Sequence, residues 1–205
     1  MRKIVGWVIL LLCCSFPGNA QKGYHNKFWG FSMKKPEGWI VQDTGFAFRN
    51  LEKFKLTQKL QDRIQREADK TTMVVVWAKR DPKTTVGAFP MIKVNATATG
   101  YTRQDEFLRK MRSDFAAAFK VLEHGRFEEE PQLVTINGSK AVTAVISFDA
   151  ILDDIRLRNR AFVYVFLRKG HFIQFSFSDI MDREDCSQLY RELASTIIFD
   201  NIMQR

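Results

Sequence analysis

The sequence predicts an α+β domain, a mostly antiparallel sheet flanked by helices. Three observations carry this. Two strand pairs are joined by tight-turn dipeptides, Asn137-Gly138 and Lys169-Gly170, the first being a strong short-range hairpin signal. Period-2 apolar runs recur along the chain, and three stretches switch to the helical period and stand between or after the strands.

The chain opens MRKIVGWVILLLCCSFPGNAQ, in which Arg2 and Lys3 precede an uncharged apolar stretch from Ile4 to Phe16, then Pro17-Gly18 and small residues to Ala20. That order predicts a secretory signal peptide over residues 1–20, cleaved near Ala20, and a single domain over 21–205. The apolar run is short for a membrane span. Acylation at Cys13 or Cys14 is the alternative, disfavoured because Leu12 or Cys13 would occupy a position that needs a small residue. Removing Arg2 and Lys3 from the 32 basic residues leaves 30 against 23 acidic, a formal charge of +7. Only Cys186 then remains, so no internal disulfide forms and the domain relies on its core. The expected location is the periplasm or the medium.

Along the mature chain, Phe31 to Lys35 reads as a strand stopped by Pro36, and Glu37-Gly38 turns into Trp39, Ile40 and Val41. Residues 51–70 follow the helical period, with Leu56, Leu60 and Ile64 beside a basic flank of Lys55, Lys59, Arg63 and Arg66. Met73 to Lys79 is a buried strand, and Pro90 opens another that runs to Thr99. A second helix takes Thr102 as its N-cap, places Phe107, Met111, Phe115, Ala118 and Leu122 on one face, and ends at His124-Gly125. Glu128, Glu129 and Glu130 read as a solvated loop before Pro131. Leu133 to Ile136 and Lys140 to Phe148 form the first hairpin, and a polar loop follows around Asp153-Asp154. The last helix starts near Asp182 and buries Cys186, Leu189, Leu193 and Ile197.

The segment AFVYVFLRKGHFIQFSFSD, residues 161–179, holds six aromatic rings. A two-residue turn at Lys169-Gly170 pairs Phe166 with Ile173, Tyr164 with Phe175 and Phe162 with Phe177, all on one face, which is therefore expected in the core. The opposite face mixes Val163, Val165 and Leu167 with Phe172, Gln174 and Ser176. Either a helix covers it or it forms a partly open cleft for a ligand or peptide. These six residues, with Lys55, Lys59, Arg63 and Arg66, are the candidate partner-binding set.

The order of an early strand ending in FSMKKPEGW, a meander, a middle helix and a hairpin running into SFSDIMDREDCSQLYRELASTIIF resembles the PsbP/Mog1 superfamily over residues 28–200. Ser195 to Phe199 matches that superfamily's closing phrase with one extra residue, and the 51–70 helix departs from the common plan. The resemblance implies an α/β/α sandwich and a binding or assembly role, since members include a photosystem extrinsic subunit, a Ran-binding factor and periplasmic lipoproteins. It implies no shared catalytic residues.

The sequence has no serine nucleophile elbow, P-loop or dinucleotide glycine pattern, and its histidines, His25, His124 and His171, stand apart without metal-ligand spacing. No cofactor or metal is therefore expected. Cys186 shares a face with Leu189 and Leu193 and reads as a small core residue. The expected function is that of an exported, non-enzymatic binding or assembly factor for a protein or peptide partner in the cell envelope. The basic flank adds a peripheral contact with an anionic membrane surface, and export argues against nucleic acid. The alternative is a small-ligand carrier or hydrolase with a cavity under the 51–70 helix.

Overall fold

The computed structural model describes residues 23–43, 62, 70–80, 88–152 and 154–200. In chain order these form β1 (Gly23–Asn26), β2 (Phe31–Lys34), β3 (Ile40–Gln42), β4 (Thr71–Ala78), β5 (Met91–Ala98), α1 (Gln104–Phe119), β6 (Glu123–Ile136), β7 (Ser139–Leu152), β8 (Ile155–Arg168), β9 (His171–Ile180), α2 (Ser187–Ala194) and β10 (Ile198–Phe199). Among the described residues there are two sheets, a small one of order β1-β2-β10 and a large one of order β3-β4-β5-β9-β8-β7-β6. Every neighbouring pair is antiparallel. The α+β class expected from the sequence is the one observed.

The centre of the large sheet is a meander from β6 to β9 joined by tight turns. Asn137 and Gly138 both adopt positive φ, 45° and 79°, the conformation that two-residue hairpin turns of the primed type require and that Asn-Gly supplies. Arg168 pairs with His171 across Lys169-Gly170, and Phe166–Ile173, Tyr164–Phe175 and Phe162–Phe177 follow in the register read from the sequence. Asp153-Asp154 is a correction. β7 and β8 form a third hairpin here, with Leu152 opposite Ile155 and Asp154 at φ 62°, so β8 begins six residues before the aromatic segment; Asp153 lies outside the described residues.

One face of the large sheet, the inner one, carries the main core. Phe162, Tyr164, Phe166, Ile173, Phe175 and Phe177 are all buried there, as expected. Phe31, Met33 and Phe199 of the small sheet and Tyr190, Leu193 and Ala194 of α2 pack onto them. The rings meet edge-on or tilted, Phe31 to Phe175 at 5.1 Å and Phe166 to Phe199 at 4.8 Å, the arrangement aromatic quadrupoles favour.

A buried ion pair fixes α2 to this layer. Arg160 on β8 donates through Nε and Nη2 to the two carboxylate oxygens of Asp179 on β9, at 3.1 and 2.7 Å. Asp179 also accepts the backbone N–H of Cys186 at 2.8 Å, so the carboxylate caps the chain entering α2. The last helix therefore starts at Ser187 and not near Asp182. Residues 181–183 instead form a turn, after which Glu184 bridges back to Ile180, and Arg183 and Glu184 both donate to the carbonyl of Ile180. Cys186, Leu193 and Ile197 are buried as expected, while Leu189 is half-buried.

The middle helix also differs at both ends from its sequence reading. Its N-cap is Arg103, not Thr102, and it stops at Phe119. Val121 and Leu122 fold back onto the carbonyl of Ala118. His124 and Gly125 lie on β6 and not at a helix end, and a Cβ on Gly125 would stand 2.8 Å from the Phe119 ring, so the chain can leave the helix this tightly only through glycine. Glu128, Glu129 and Glu130 are strand residues beside bulges in β6, not a solvated loop. β1 was not foreseen, and the helix read over 51–70 lies outside the described residues except for Asp62, which is helical, and Lys70, which is a turn residue.

Candidate functional site

The outer face of the large sheet is built from the opposite parity of the same strands, and antiparallel pairing aligns its side chains in transverse rows. One row runs Val76, Lys93, Ser176, Val163; the next holds Asn95, Gln174 and Val165; a third holds Thr71, Thr97, Phe172 and Leu167. Val163 and Val165 lie under α1, packed against Phe107 and Met111, and Val165 is 0 % exposed. A helix thus covers that part of the face, and no cleft opens at these two valines because the Phe107–Met111 side of α1 fills it. Ser176 is also buried, whereas Leu167, Phe172 and Gln174 stay half-buried at the margin of the helix.

Beyond that margin the face turns polar. Gln174 Nε2 donates to Ser176 Oγ at 2.8 Å, and the Thr71 and Thr97 hydroxyls share a hydrogen bond of 3.1 Å. Lys93 stands beside Ser176 in the same row, between an apolar cluster of Val76, Ala78 and Phe89 and the one under α1. Burial pushes the Lys93 ammonium below the ordinary lysine range, the direction expected when a cation loses water without gaining a carboxylate. Among the described residues Lys93 makes no ion pair. The hydroxyl and amide groups around it can share hydrogen bonds with an incoming polar group, and Lys93 supplies the charge.

The sequence reading placed Gln174 and Ser176 on this face but missed Lys93 and Asn95. The signal was in MIKVNATA, where Met91, Lys93, Asn95 and Thr97 alternate with buried Ile92, Val94 and Ala96. Lys55, Lys59, Arg63 and Arg66 lie outside the described residues.

The other singled-out groups have structural partners. His124 Nδ1 lies 2.8 Å from Asp149 Oδ2, and His171 packs its ring on Trp29 at 5.1 Å. His25 stands 3.9 Å from Asp200. Glu128 accepts from Ser147 Oγ at 2.6 Å and from Arg126 Nε at 2.9 Å, and these hold its carboxyl below the usual range. Burial pushes the Cys186 thiol up, away from the reactive thiolate, in keeping with its core position. Among the described residues no three metal-ligating side chains converge.

Comparison of the sequence with family models and with curated proteins gives no match. Solved structures do match. The solution structure of cyanobacterial PsbP (CyanoP) from Synechocystis sp. PCC 6803 superposes with a TM-score of 0.52 at 16% identity, covering 92% of this chain and 98% of that one. A Bacteroides thetaiotaomicron protein gives 0.47 at 10% identity over 84% of this chain and 46% of its own. LpqN of Mycobacterium tuberculosis, described as involved in cell envelope biogenesis, gives 0.37 at 12% identity over 62% and 75%. At the identity shared with CyanoP the likeness is one of fold, and this chain has the PsbP-like α+β sandwich fold that its sequence led us to expect.

Proposed function

We propose that this protein is an exported, non-enzymatic binding factor that receives a protein or peptide partner of the cell envelope on the polar strip of its outer sheet face. The carrying observation is Lys93, a cation held among apolar and hydroxyl groups with no carboxylate against it among the described residues. A partner that presents an Asp or Glu side chain, or a terminal carboxylate, would satisfy the ammonium, and the charge-assisted bond would be stronger at this half-buried point than in water. Gln174 and Asn95 flank that point and would accept or donate to the partner's backbone. Half-buried Leu167 and Phe172 supply an apolar margin. The signal-like leader supports export, and the PsbP-like fold supports a binding role in preference to a catalytic one.

The test is site-specific photo-cross-linking in the producing cells, with the photoreactive residue at Gln174 and a control at Gln188 on α2. The expected result is a discrete adduct from position 174 alone, mapped to an acidic segment and lost in Lys93→Met. An adduct unaffected by Lys93→Met, or the same adduct from both positions, would overturn the reading. A small molecule retained on the purified protein and displaced by Lys93→Met would replace it with the carrier reading.

A further inference from the structure

The turn between β1 and β2 presents the most exposed large apolar side chain among the described residues. Phe28 is 83 % exposed at its apex, whereas most large apolar groups of this domain are buried. The apex is not a loose loop. The Trp29 backbone N–H donates to Asn26 Oδ1 at 3.0 Å, Gly30 takes a positive φ of 61°, and the carbonyl of Gly30 accepts the N–H of Asp200 at 2.9 Å. Phe28 stands edge-on to Trp29 at 5.0 Å, and Trp29 in turn contacts the His171 ring at 5.1 Å. That last contact brings the Lys169-Gly170 turn alongside, so two hairpin tips share one end of the molecule.

The charge at this end is positive. Lys27 adjoins Phe28, and Lys169 is exposed on the neighbouring tip; among the described residues neither makes an ion pair. Arg168 lies over the Phe199 ring at 4.6 Å. Asp200 sits at the base of the turn, where its carboxylate faces His25 at 3.9 Å. A rigid convex point with an aromatic apex, an aromatic neighbour and a cationic rim does not form a groove for a peptide. It matches a soft interface with a negative surface and an apolar layer just beneath, because aromatic rings settle at headgroup level and each nearby lysine or arginine is drawn to anionic lipid.

We propose that the Lys27–Gly30 turn, with Phe28 at its apex and Lys169 beside it, docks this protein on an anionic membrane surface. The contact is peripheral, made by one aromatic apex and the cations beside it; among the described residues no helix is long and apolar enough to cross a membrane. It uses none of the residues assigned to the outer-face strip.

The experiment uses the exported protein as purified from its own cells, mixed with vesicles of equal parts phosphatidylglycerol and phosphatidylcholine, and with phosphatidylcholine vesicles alone. Sedimentation gives the bound fraction. Tryptophan emission reports on the tip, since Trp39 and Trp77 are buried and Trp29 is the half-buried one at the turn. Binding to the anionic vesicles with a blue shift is expected, weakening with salt and falling about tenfold in Phe28→Ser. In Lys27→Glu/Lys169→Glu the preference for phosphatidylglycerol should vanish. Melting temperatures matching the parent protein establish that these exposed substitutions leave the fold intact. No binding to anionic vesicles, or binding that both variants retain in full, overturns the proposal. A Phe28-dependent adduct with a polypeptide, together with unchanged vesicle binding, would reassign the tip to a protein contact.

Discussion

Replacing Asp179 by alanine should unfold this domain more readily than a change at any exposed acid, and the size of the loss follows from three bonds. The carboxylate, 0 % exposed, accepts both Arg160 nitrogens and the Cys186 N–H, while Arg160 is itself only 13 % exposed. Removing one member of a buried ion pair typically costs about 3–5 kcal/mol, because the other charge is stranded. Here Asp185 at 2.6 Å keeps part of the compensation for Arg160, which points to the lower end, about 3 kcal/mol. The orphaned Cys186 N–H adds about 1 kcal/mol. The total of about 4 kcal/mol corresponds to a fall of about 8–16 °C in Tm for a chain of this size. Urea unfolding, with an unchanged m-value as the check on the fold, measures it. A cycle with Arg160→Met should show coupling of about 2 kcal/mol. A loss below about 1 kcal/mol for Asp179→Ala, or additivity within about 0.5 kcal/mol, would refute the claim that this pair latches α2 to the sheet.

Two further outcomes follow from charge. Lys93→Met should stabilise the domain at neutral pH. A lysine with a lowered folded pKa binds fewer protons folded than unfolded, so the native protein gains stability as pH rises toward the unfolded value of 10.5. The variant's advantage in Tm should therefore shrink over that rise, and destabilisation at neutral pH would contradict the proposed desolvation. Asp185 is held down to about 2 by the Ser187 hydroxyl and N–H and by Arg160. Its contribution is present above the unfolded value of 3.8 and is lost as pH falls toward 2. Asp185→Asn should flatten the acid limb of the stability curve in that window; an unchanged limb would show that exposure screens the interaction completely.

What could be read from the sequence depended on whether the controlling interaction was local. The β8–β9 register was legible because a two-residue turn fixes it and a one-residue slip would expose the aromatic face. The first hairpin was legible through Asn137-Gly138 for the same reason. β1 was invisible because GYHN has no apolar run, and its strand state comes from pairing with β2. The start of α2 was misread because Asp182 to Asp185 looks like an acidic first turn, while the capping carboxylate, Asp179, reaches in from the end of β9. The end of α1 was overrun because Val121 and Leu122 continue the apolar pattern after the helical geometry has ended. At the candidate site, Gln174 and Ser176 stood out against their aromatic neighbours, but Lys93 acquires its significance from the row beside Ser176, and the sequence does not reveal that β5 lies next to β9.

Among the described residues, two desolvated cations, Arg160 and half-buried Lys93, separate structure from function. Arg160 is surrounded by what it needs: a bidentate carboxylate, a second acid and the face of the Phe162 ring at 5.2 Å. Such a satisfied group fixes geometry and offers nothing further to bind. Lys93 is desolvated without that compensation among the described residues, in a position where a methionine would fill the same row at lower cost. A sequence that places aromatic side chains consistently across the inner face departs from local consistency at this point of the outer face. Departures of that kind concentrate where a protein must leave a group available to another molecule. The inner face is occupied by the small sheet and α2, and the valines of the outer face are roofed by α1. Among the described residues, the unsatisfied charge and the half-buried polar groups beside it are the part of the sheet left uncovered, and it is there that the proposed partner would bind.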